Sequence, residues 1–334
     1  MPPTGFESIT IEGFKSIQSI QNLRLRPINI LIGANGSGKS NFLEAFAFLS
    51  EAQAGRMDSY VQLNGGAERL LYFGSKTTPQ ITVSADTNYG FSLTASYLSV
   101  ADDSLAGMVA KGGFSQEGRS FALYKFQDAG NHSPFKKTNQ LDDNRRLRED
   151  GSNLAAFLYR LSKTHHGSYV TIRDTVQLVA PFFEDFRLEP LVVNPETLRL
   201  EWRHKQSDSY FNSSSFSEGT LRFIALATLF LQPVELRPAV ILIDEPELGL
   251  HPYAVELLAS LIRQASIDTQ IIAATQSPLL LDYFDPEDVL VADREDGATT
   301  VHRLDPEPLV AWLKEYSLGQ LWEKGEFADK TTAS

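Results

Sequence analysis

The chain has 334 residues, 42% of them hydrophobic, which is enough apolar material for one large domain or two intimate lobes. With 42 acidic against 30 basic side chains its formal net charge is −12, so bulk electrostatics will not draw it to DNA, although a local basic patch stays open. It has no cysteine, which excludes a disulfide framework and a thiolate metal site and suits a reducing cytoplasm; no leader peptide is visible at Met1-Pro2-Pro3-Thr4, and the longest apolar stretch, Phe223 to Leu231, is too short to cross a bilayer, so no membrane partner is expected.

In chain order, Ser8-Ile9-Thr10-Ile11 reads as a strand before the turn-rich Gly13-Phe14-Lys15-Ser16. Ile28-Asn29-Ile30-Leu31-Ile32 reads as a second strand. It runs into Gly33-Ala34-Asn35-Gly36-Ser37-Gly38-Lys39-Ser40, of the form G-x-x-x-x-G-K-[ST], and a helix is predicted from about Gly38 to Ser50. Strand, glycine-rich loop and helix in that order make a phosphate cradle. The glycines let backbone N–H groups point inward at an anion, and the helix adds its positive N-terminus. Lys39 reaches the β/γ-phosphates, and the Ser40 hydroxyl ligates Mg²⁺. A glycine-rich turn without ligand is the alternative, and the flanking strand and helix weigh against it.

Ile81 to Val83, Gly90 to Leu98, Gly107 to Ala110 and Ser120 to Phe126 alternate, with turn residues between them. They are expected to form an antiparallel sheet over the nucleotide end, so that the first 130 residues read mainly as strands around one helix. From Asn153 the spacing turns helical, with Leu154, Phe157, Leu158 and Leu161 on one face. A second helix is expected over about Tyr169 to Val179, then strands over Phe186 to Leu191 and Leu198 to Trp202. Ser217-Glu218-Gly219 opens a helix over Leu221–Leu231. This is either an anion-binding cap for the γ-phosphate of a nucleotide held by another subunit, or an ordinary serine N-cap.

Pro238 to Ile243 is a continuous apolar run, as expected of a strand buried on both faces, and it ends in Asp244-Glu245-Pro246. Asp244 can hold the same Mg²⁺ as Ser40, and Glu245 is placed to polarise the attacking water. A helix over Pro252–Ala265, a strand over Gln270–Thr275 and a helix capped by Ser277 follow. Asp288–Ala292 and Thr299–Arg303 read as a hairpin across Glu295-Asp296-Gly297. The alternation argues for a mainly parallel sheet with helices on both faces. The tail from about Phe327 is expected to fray.

Other features carry less. Arg145-Arg146-Leu147-Arg148, with Lys136-Lys137 nearby, can touch DNA phosphates or a partner, but a solvated loop paired with Asp142, Asp143, Glu149 and Asp150 is the stronger reading. His165, His166 and His251 lack companions at metal-ligand spacing. Asn139-Gln140-Leu141-Asp142 lacks the lysine of a guanine-reading motif, which favours adenine. Asp293-Arg294-Glu295-Asp296 reads as a hairpin turn, because too few residues follow for a nuclease domain.

Taken in order, Gly13-Phe14-Lys15-Ser16, the phosphate loop, Ser217-Glu218-Gly219-Thr220, Asp244-Glu245-Pro246-Glu247-Leu248-Gly249-Leu250-His251-Pro252 and Ala274-Thr275-Gln276-Ser277-Pro278 resemble an ABC-type ATPase head of the RecF/SMC class. More closely, the chain resembles the stand-alone bacterial predicted ATPases within that class. Asp150 to Ala155, Ala180 to Phe183 and Tyr316 to Trp322 extend the resemblance over nearly the whole chain.

The resemblance implies an α/β P-loop NTPase with a mainly parallel core sheet, an antiparallel β subdomain and a helical lobe. One ABC-type domain is expected over 1–334. Its parts would be a nucleotide-binding lobe (1–130), a helical and signature lobe (131–235), a Walker B core (236–305) and C-terminal helices with a tail (306–334). Gly33 to Ser40 would be the Walker A loop, and Asn41 would join the nucleotide contacts. Asp244 would be the Walker B magnesium ligand and Glu245 the catalytic base. Ser217 and Gly219 would be the signature acting across a dimer, and Leu248 to His251 the loop linking the two sites. Gln276 falls where a switch histidine is usual. Its amide can hydrogen-bond a phosphate or a water but cannot carry a proton, which implies slow hydrolysis. Glu218 stands where a small residue is usual. For the lid glutamine, Gln127 and Gln140 are candidates, each better read as a surface residue.

The expected function is an ATP- and Mg²⁺-dependent switch in which two heads close on ATP as a homodimer, acting on DNA or on a partner effector protein in repair or phage defence. A nucleotide sensor with little hydrolysis is the alternative. A transporter ATPase subunit is disfavoured by Phe14-Lys15-Ser16, by Gln276 and by the long gap between Ser40 and Asp244.

Overall fold

Ile28–Ile32 is buried along its whole length, as its unbroken apolar run requires of a central strand. In the computed structural model, which describes residues 5–88, 92–99, 105–106, 121–127 and 133–327, it is the third element. In chain order the elements are β1 (Phe6–Phe14), β2 (Ile17–Arg24), β3 (Ile28–Ile32), α1 (Lys39–Gln53), α2 (Met57–Leu63), α3 (Ala67–Leu70), β4 (Gln80–Thr87), β5 (Ser92–Ser99), β6 (Leu105–Ala106), β7 (Phe121–Tyr124) and β8 (Asn139–Gln140). There follow α4 (Leu154–Thr164), α5 (His166–Val179), β9 (Phe183–Arg187), β10 (Thr197–Leu198), β11 (Glu201–His204), β12 (Tyr210–Asn212), α6 (Glu218–Leu231), β13 (Val240–Asp244), α7 (Pro252–Ala265), β14 (Gln270–Thr275), α8 (Pro278–Leu281), β15 (Val289–Glu295), β16 (Ala298–Arg303) and α9 (Leu318–Glu323). They gather into two compact units, Met1–Leu123 with Ala239–Ile243 and Ser266–Ser334, and Tyr124–Pro238 with Asp244–Ala265.

The first unit is built on two sheets. One has the order β16-β15-β3-β14-β13-β7, with β3 parallel to β14 (Ile32 beside Thr275) and to β15 (Ile30 beside Val289). The other, β2-β1-β4-β5-β6, is antiparallel throughout. The α1 residues Phe42, Phe46 and Leu49 recur at helical spacing and are all buried, and the Phe46 ring lies 5.5 Å from that of Phe6 on β1. Gln270 ties the two sheets together. Its buried amide accepts from Phe6 N at 2.8 Å and donates to Phe6 O at 2.8 Å and Arg26 O at 3.0 Å. The β15–β16 hairpin turns through Asp296 (φ +49°) and Gly297 (φ +86°), two left-handed residues as a two-residue hairpin loop demands.

The second unit carries helices α4 to α7, a three-stranded antiparallel sheet β12-β11-β9 and a two-stranded pair β10-β8. Leu154, Phe157, Leu158 and Leu161 are all buried on α4, as their spacing predicts. Trp202 stacks on Phe216 at 4.5 Å and on Phe211 at 5.0 Å, just ahead of α6.

Four expectations are corrected. Phe121–Tyr124 does not join the antiparallel sheet; it lies beside β13 in the six-stranded one. Four mainly apolar residues suit either sheet, and periodicity alone cannot choose. Two further helices, α2 and α3, follow α1, too short to display an apolar face beyond Met57 and Val61 or Ala67 and Leu70. The run Leu198 to Trp202 is two strands. Leu198, Leu200 and Trp202 are all buried in alternation, but Leu198 pairs with Asn139 and Trp202 with Phe186. The strand expected over Phe186 to Leu191 ends at Arg187, shifted back so that Phe183 and Phe186 are its buried residues. Gly107 to Ala110, and the tail beyond Phe327, lie outside the described residues.

Candidate nucleotide site

The loop from Gly33 to Gly38 owes its shape to three glycines. Gly36 and Gly38 sit at φ +78° and +101°, where side chains are strained. A Cβ at Gly38 would lie 2.0 Å from Thr299 Oγ1, and one at Gly33 would lie 2.5 Å from Ala292 O. The loop is clasped from β16. Thr299 Oγ1 donates to Ser37 O at 2.9 Å and shares a 2.7 Å hydrogen bond with Ser16 Oγ, which also accepts from Asn41 Nδ2 at 2.7 Å.

At the centre lies the Lys39 ammonium. The residue is 6% exposed, and Nζ donates to Gly33 O at 2.7 Å and to Ala34 O at 2.9 Å. Ser37 Oγ is buried inside the same loop with no hydrogen-bond partner among the described residues, the kind of orphaned polar atom that an oxyanion satisfies. A buried cation, a backbone cradle closed to side chains, an orphaned hydroxyl and the N-terminus of the 15-residue α1 together fit a nucleotide's phosphates. The Ser40 side chain is exposed in the first turn of α1, next to Lys39. Gln276, half-buried, follows the last residue of β14 in this unit, and the Ser277 N–H turns back to Thr275 Oγ1 at 2.9 Å.

In the second unit, Asp244 is buried at the end of β13. Glu245, next in the chain, has φ +48° immediately before Pro246, a conformation that costs a non-glycine residue about 1–3 kcal/mol. The turn closes through Leu248 N to Glu245 O at 3.2 Å and Leu250 N to Glu247 O at 3.0 Å. Ser217 caps α6 by accepting from Thr220 N at 3.1 Å, so the ordinary cap is made, and the residue remains exposed. Gly219 packs against Gly249, and the two approach too closely for a Cβ at 219.

Sequence reasoning missed Arg222. It is 4% exposed and donates from Nε to Phe126 O at 2.8 Å, from Nη2 to Gln127 O at 2.7 Å, and from Nη1 to Leu248 O. Burial pulls its pKa below the usual guanidinium value, opposed by the charges of Glu218, Glu247 and Glu245. One signal was available: a lone cation in the apolar face of α6, between Leu221 and Phe223. Gln127 enters this cluster through its backbone carbonyl, and Gln140 pairs with Thr197 in the β8–β10 ladder. In the basic loop, Arg148 pairs with Asp143 at 2.8 Å. Among the described residues no group of three or more histidine, aspartate or glutamate side chains could hold a metal ion, and no helix is long and apolar enough to cross a membrane.

A parallel-dominated sheet whose central strand feeds a Lys-Ser phosphate loop and a helix, in a chain that also carries an antiparallel sheet and a helical unit, is the fold of a P-loop ATPase of the ABC type, as found in SMC heads. The chain belongs to the family described as "AAA domain, putative AbiEii toxin, Type IV TA system", whose model matches residues 28–97 and 79–282. Among solved structures it is similar to an SMC head bound to the C-terminal winged-helix domain of ScpA, with TM-score 0.62, 19% identity, and 93% of this chain and 100% of that one covered. It is also similar to an SMC head domain with an extended coiled coil bound to the C-terminal domain of ScpA, from Pyrococcus furiosus, with TM-score 0.58, 17% identity, and 94% and 99% covered. These likenesses concern the fold. No curated protein matches the chain.

Proposed function

We propose that this protein is an ATP-driven switch that binds MgATP at Gly33 to Asn41 and hydrolyses it through Glu245. The observation that carries the reading is the buried Lys39 ammonium inside a glycine loop that admits no side chain at Gly33 or Gly38. Backbone N–H groups and the α1 N-terminus bind the phosphates, and Lys39 exchanges its loop carbonyls for β/γ oxygens. Ser40 and Asp244 are the residues that would hold Mg²⁺, which when bound would neutralise charge developing on the transferred phosphoryl group. Glu245 takes the proton of the attacking water, and its left-handed backbone is the kind of strain that collects at functional positions. Gln276 hydrogen-bonds a phosphate oxygen or that water without moving a proton.

Ser217 and Gly219 act on the γ-phosphate of a second copy, so that ATP joins two heads. The output is work on DNA or on a partner protein, with repair or defence against phage as settings. The recorded complexes of the two similar SMC heads with ScpA domains support a protein partner. Gln276 at a switch position favours a second reading, a nucleotide sensor with little hydrolysis. Phosphate release by wild type and Glu245→Gln separates the two. The switch predicts turnover that falls about 10²–10⁴-fold in the variant while ATP stays bound. Equal rates in both proteins would remove Glu245 as the base, and negligible wild-type turnover with tight ATP binding would establish the sensor.

A further inference from the structure

In the first unit, the Gly13-Phe14-Lys15-Ser16 turn grips the start of α1 at two places. Ser16 Oγ accepts from Asn41 Nδ2 at 2.7 Å, and three residues further on Glu44 pairs with the Lys15 ammonium. Positions 41 and 44 are neighbours on one face of the helix. The turn is strained: Lys15 has φ +50°, a left-handed setting that residues with a side chain rarely adopt. It is pinned by Lys15 N donating to Leu70 O at 2.7 Å and by Thr299 N donating to Ser16 O at 2.7 Å.

Thr299, buried near the start of β16, joins this turn to the phosphate loop. Its hydroxyl has one hydrogen, which goes to Ser37 O at 2.9 Å. The 2.7 Å bond between Thr299 Oγ1 and Ser16 Oγ is therefore donated by Ser16. The result is a chain with one direction, from the Asn41 amide through the Ser16 and Thr299 hydroxyls to the Ser37 carbonyl. Each bond in such a chain polarises the next. The chain ends on the peptide that joins Ser37 to Gly38. A trans peptide sets its C=O and N–H on opposite sides, so the Gly38 N–H points away from Thr299. Gly38 itself leaves room for the approach: a Cβ there would lie 2.0 Å from Thr299 Oγ1 and 2.9 Å from Ser16 Oγ.

We infer that Thr299 is a positioning residue of the phosphate site: its hydroxyl, oriented by Ser16, holds the Ser37–Gly38 peptide so that the Gly38 N–H faces the phosphates as a strengthened donor. The inference rests on the phosphate reading of the loop. Thr299 lies behind the loop and acts through the peptide, not on the ligand. That peptide serves the phosphates alone. Loss of the hydroxyl should therefore weaken every ligand with the same phosphate chain by the same factor, whatever the ligand carries beyond it.

Calorimetry on the full chain with Mg²⁺ and either ATP or inorganic tripolyphosphate tests this, below the melting temperature of each protein, using wild type, Thr299→Val and Thr299→Ser. Thr299→Val keeps the shape and the branch at Cβ but removes the hydroxyl. We expect it to bind both ligands about tenfold more weakly, the scale of one hydrogen bond to a charged group. Thr299→Ser restores the donor and should recover both affinities. A purely structural role would lower the melting temperature of Thr299→Val and leave both affinities unchanged, which would overturn the inference and leave the phosphate site standing. So would a loss confined to ATP, or a Thr299→Ser protein as weak as Thr299→Val. If Thr299→Val does not fold, Ser16→Ala, which frees the Thr299 hydroxyl to turn, should lower both affinities in equal proportion; unchanged affinities there would overturn the inference in the same way. Wild type binding neither ligand would overturn the phosphate reading, and this inference with it.

Discussion

Gly219 and Gly249 meet so closely that a Cβ on the first would lie 2.3 Å from the carbonyl oxygen of the second. The start of α6 is thereby set against the turn that follows Asp244-Glu245. The obstructing atom is backbone and cannot swing aside. Gly219→Ala should therefore destabilise the protein by about 1–3 kcal/mol, the range for overpacking, read as a lower urea midpoint. An unchanged midpoint would mean that the helix start moves freely from the turn.

Arg222 holds the same junction by charge. Its guanidinium satisfies three backbone carbonyls, those of Phe126, Gln127 and Leu248. Arg222→Met removes every donor and leaves them facing an apolar side chain, for a loss of about 2–5 kcal/mol. Arg222→Lys, a point charge without the fork, should recover only part of it. A fully stable Arg222→Lys protein would show that one contact suffices.

The proposal that two copies share their active sites makes a stoichiometric prediction. Glu245→Gln with ATP and Mg²⁺ should form a tight dimer, and adding Ser217→Arg should abolish it by crowding the closed interface. Lys39→Ala should lower ATP affinity at least about tenfold, the scale of a lost charge-assisted contact. Mixing a Lys39→Ala chain with a Ser217→Arg chain should leave at most one competent composite site. Light scattering through an ATP titration measures the first two. A strictly monomeric protein with full turnover would point to a self-contained site.

Three tyrosines set an alkaline limit. Burial first, then nearby carboxylates, raises the phenol pKa of Tyr60 and Tyr124. At Tyr169 burial is joined by the 2.6 Å hydrogen bond to Asp185. In the unfolded chain these phenols ionise near pH 10, so above that pH the unfolded state releases protons first. The stability they contribute is complete below about pH 10 and is lost as pH rises beyond it. Of the 11 tyrosines in the chain, these three should resist titration until the protein unfolds, seen as a late, cooperative step in tyrosinate absorbance. A single smooth titration of a folded protein would contradict their burial.

The phosphate loop, the buried strand ending at Asp244, and the caps at Ser217 and Ser277 were all legible in the amino-acid sequence. In each case the groups that satisfy one another lie within a few residues: Lys39 reaches back to Gly33 and Ala34, and Ser217 reaches forward to Thr220. Spacing alone carries such information. The tertiary structure decided what depends on distant chain segments. It assigned Phe121–Tyr124 to the core sheet, brought Thr299 to clasp Ser37, and turned Arg222 onto Phe126. The physical reason is that a short apolar strand, a buried hydroxyl or a buried cation is compatible with many neighbours. Which neighbour it meets is chosen by the packing of the whole core, and no local pattern records that choice.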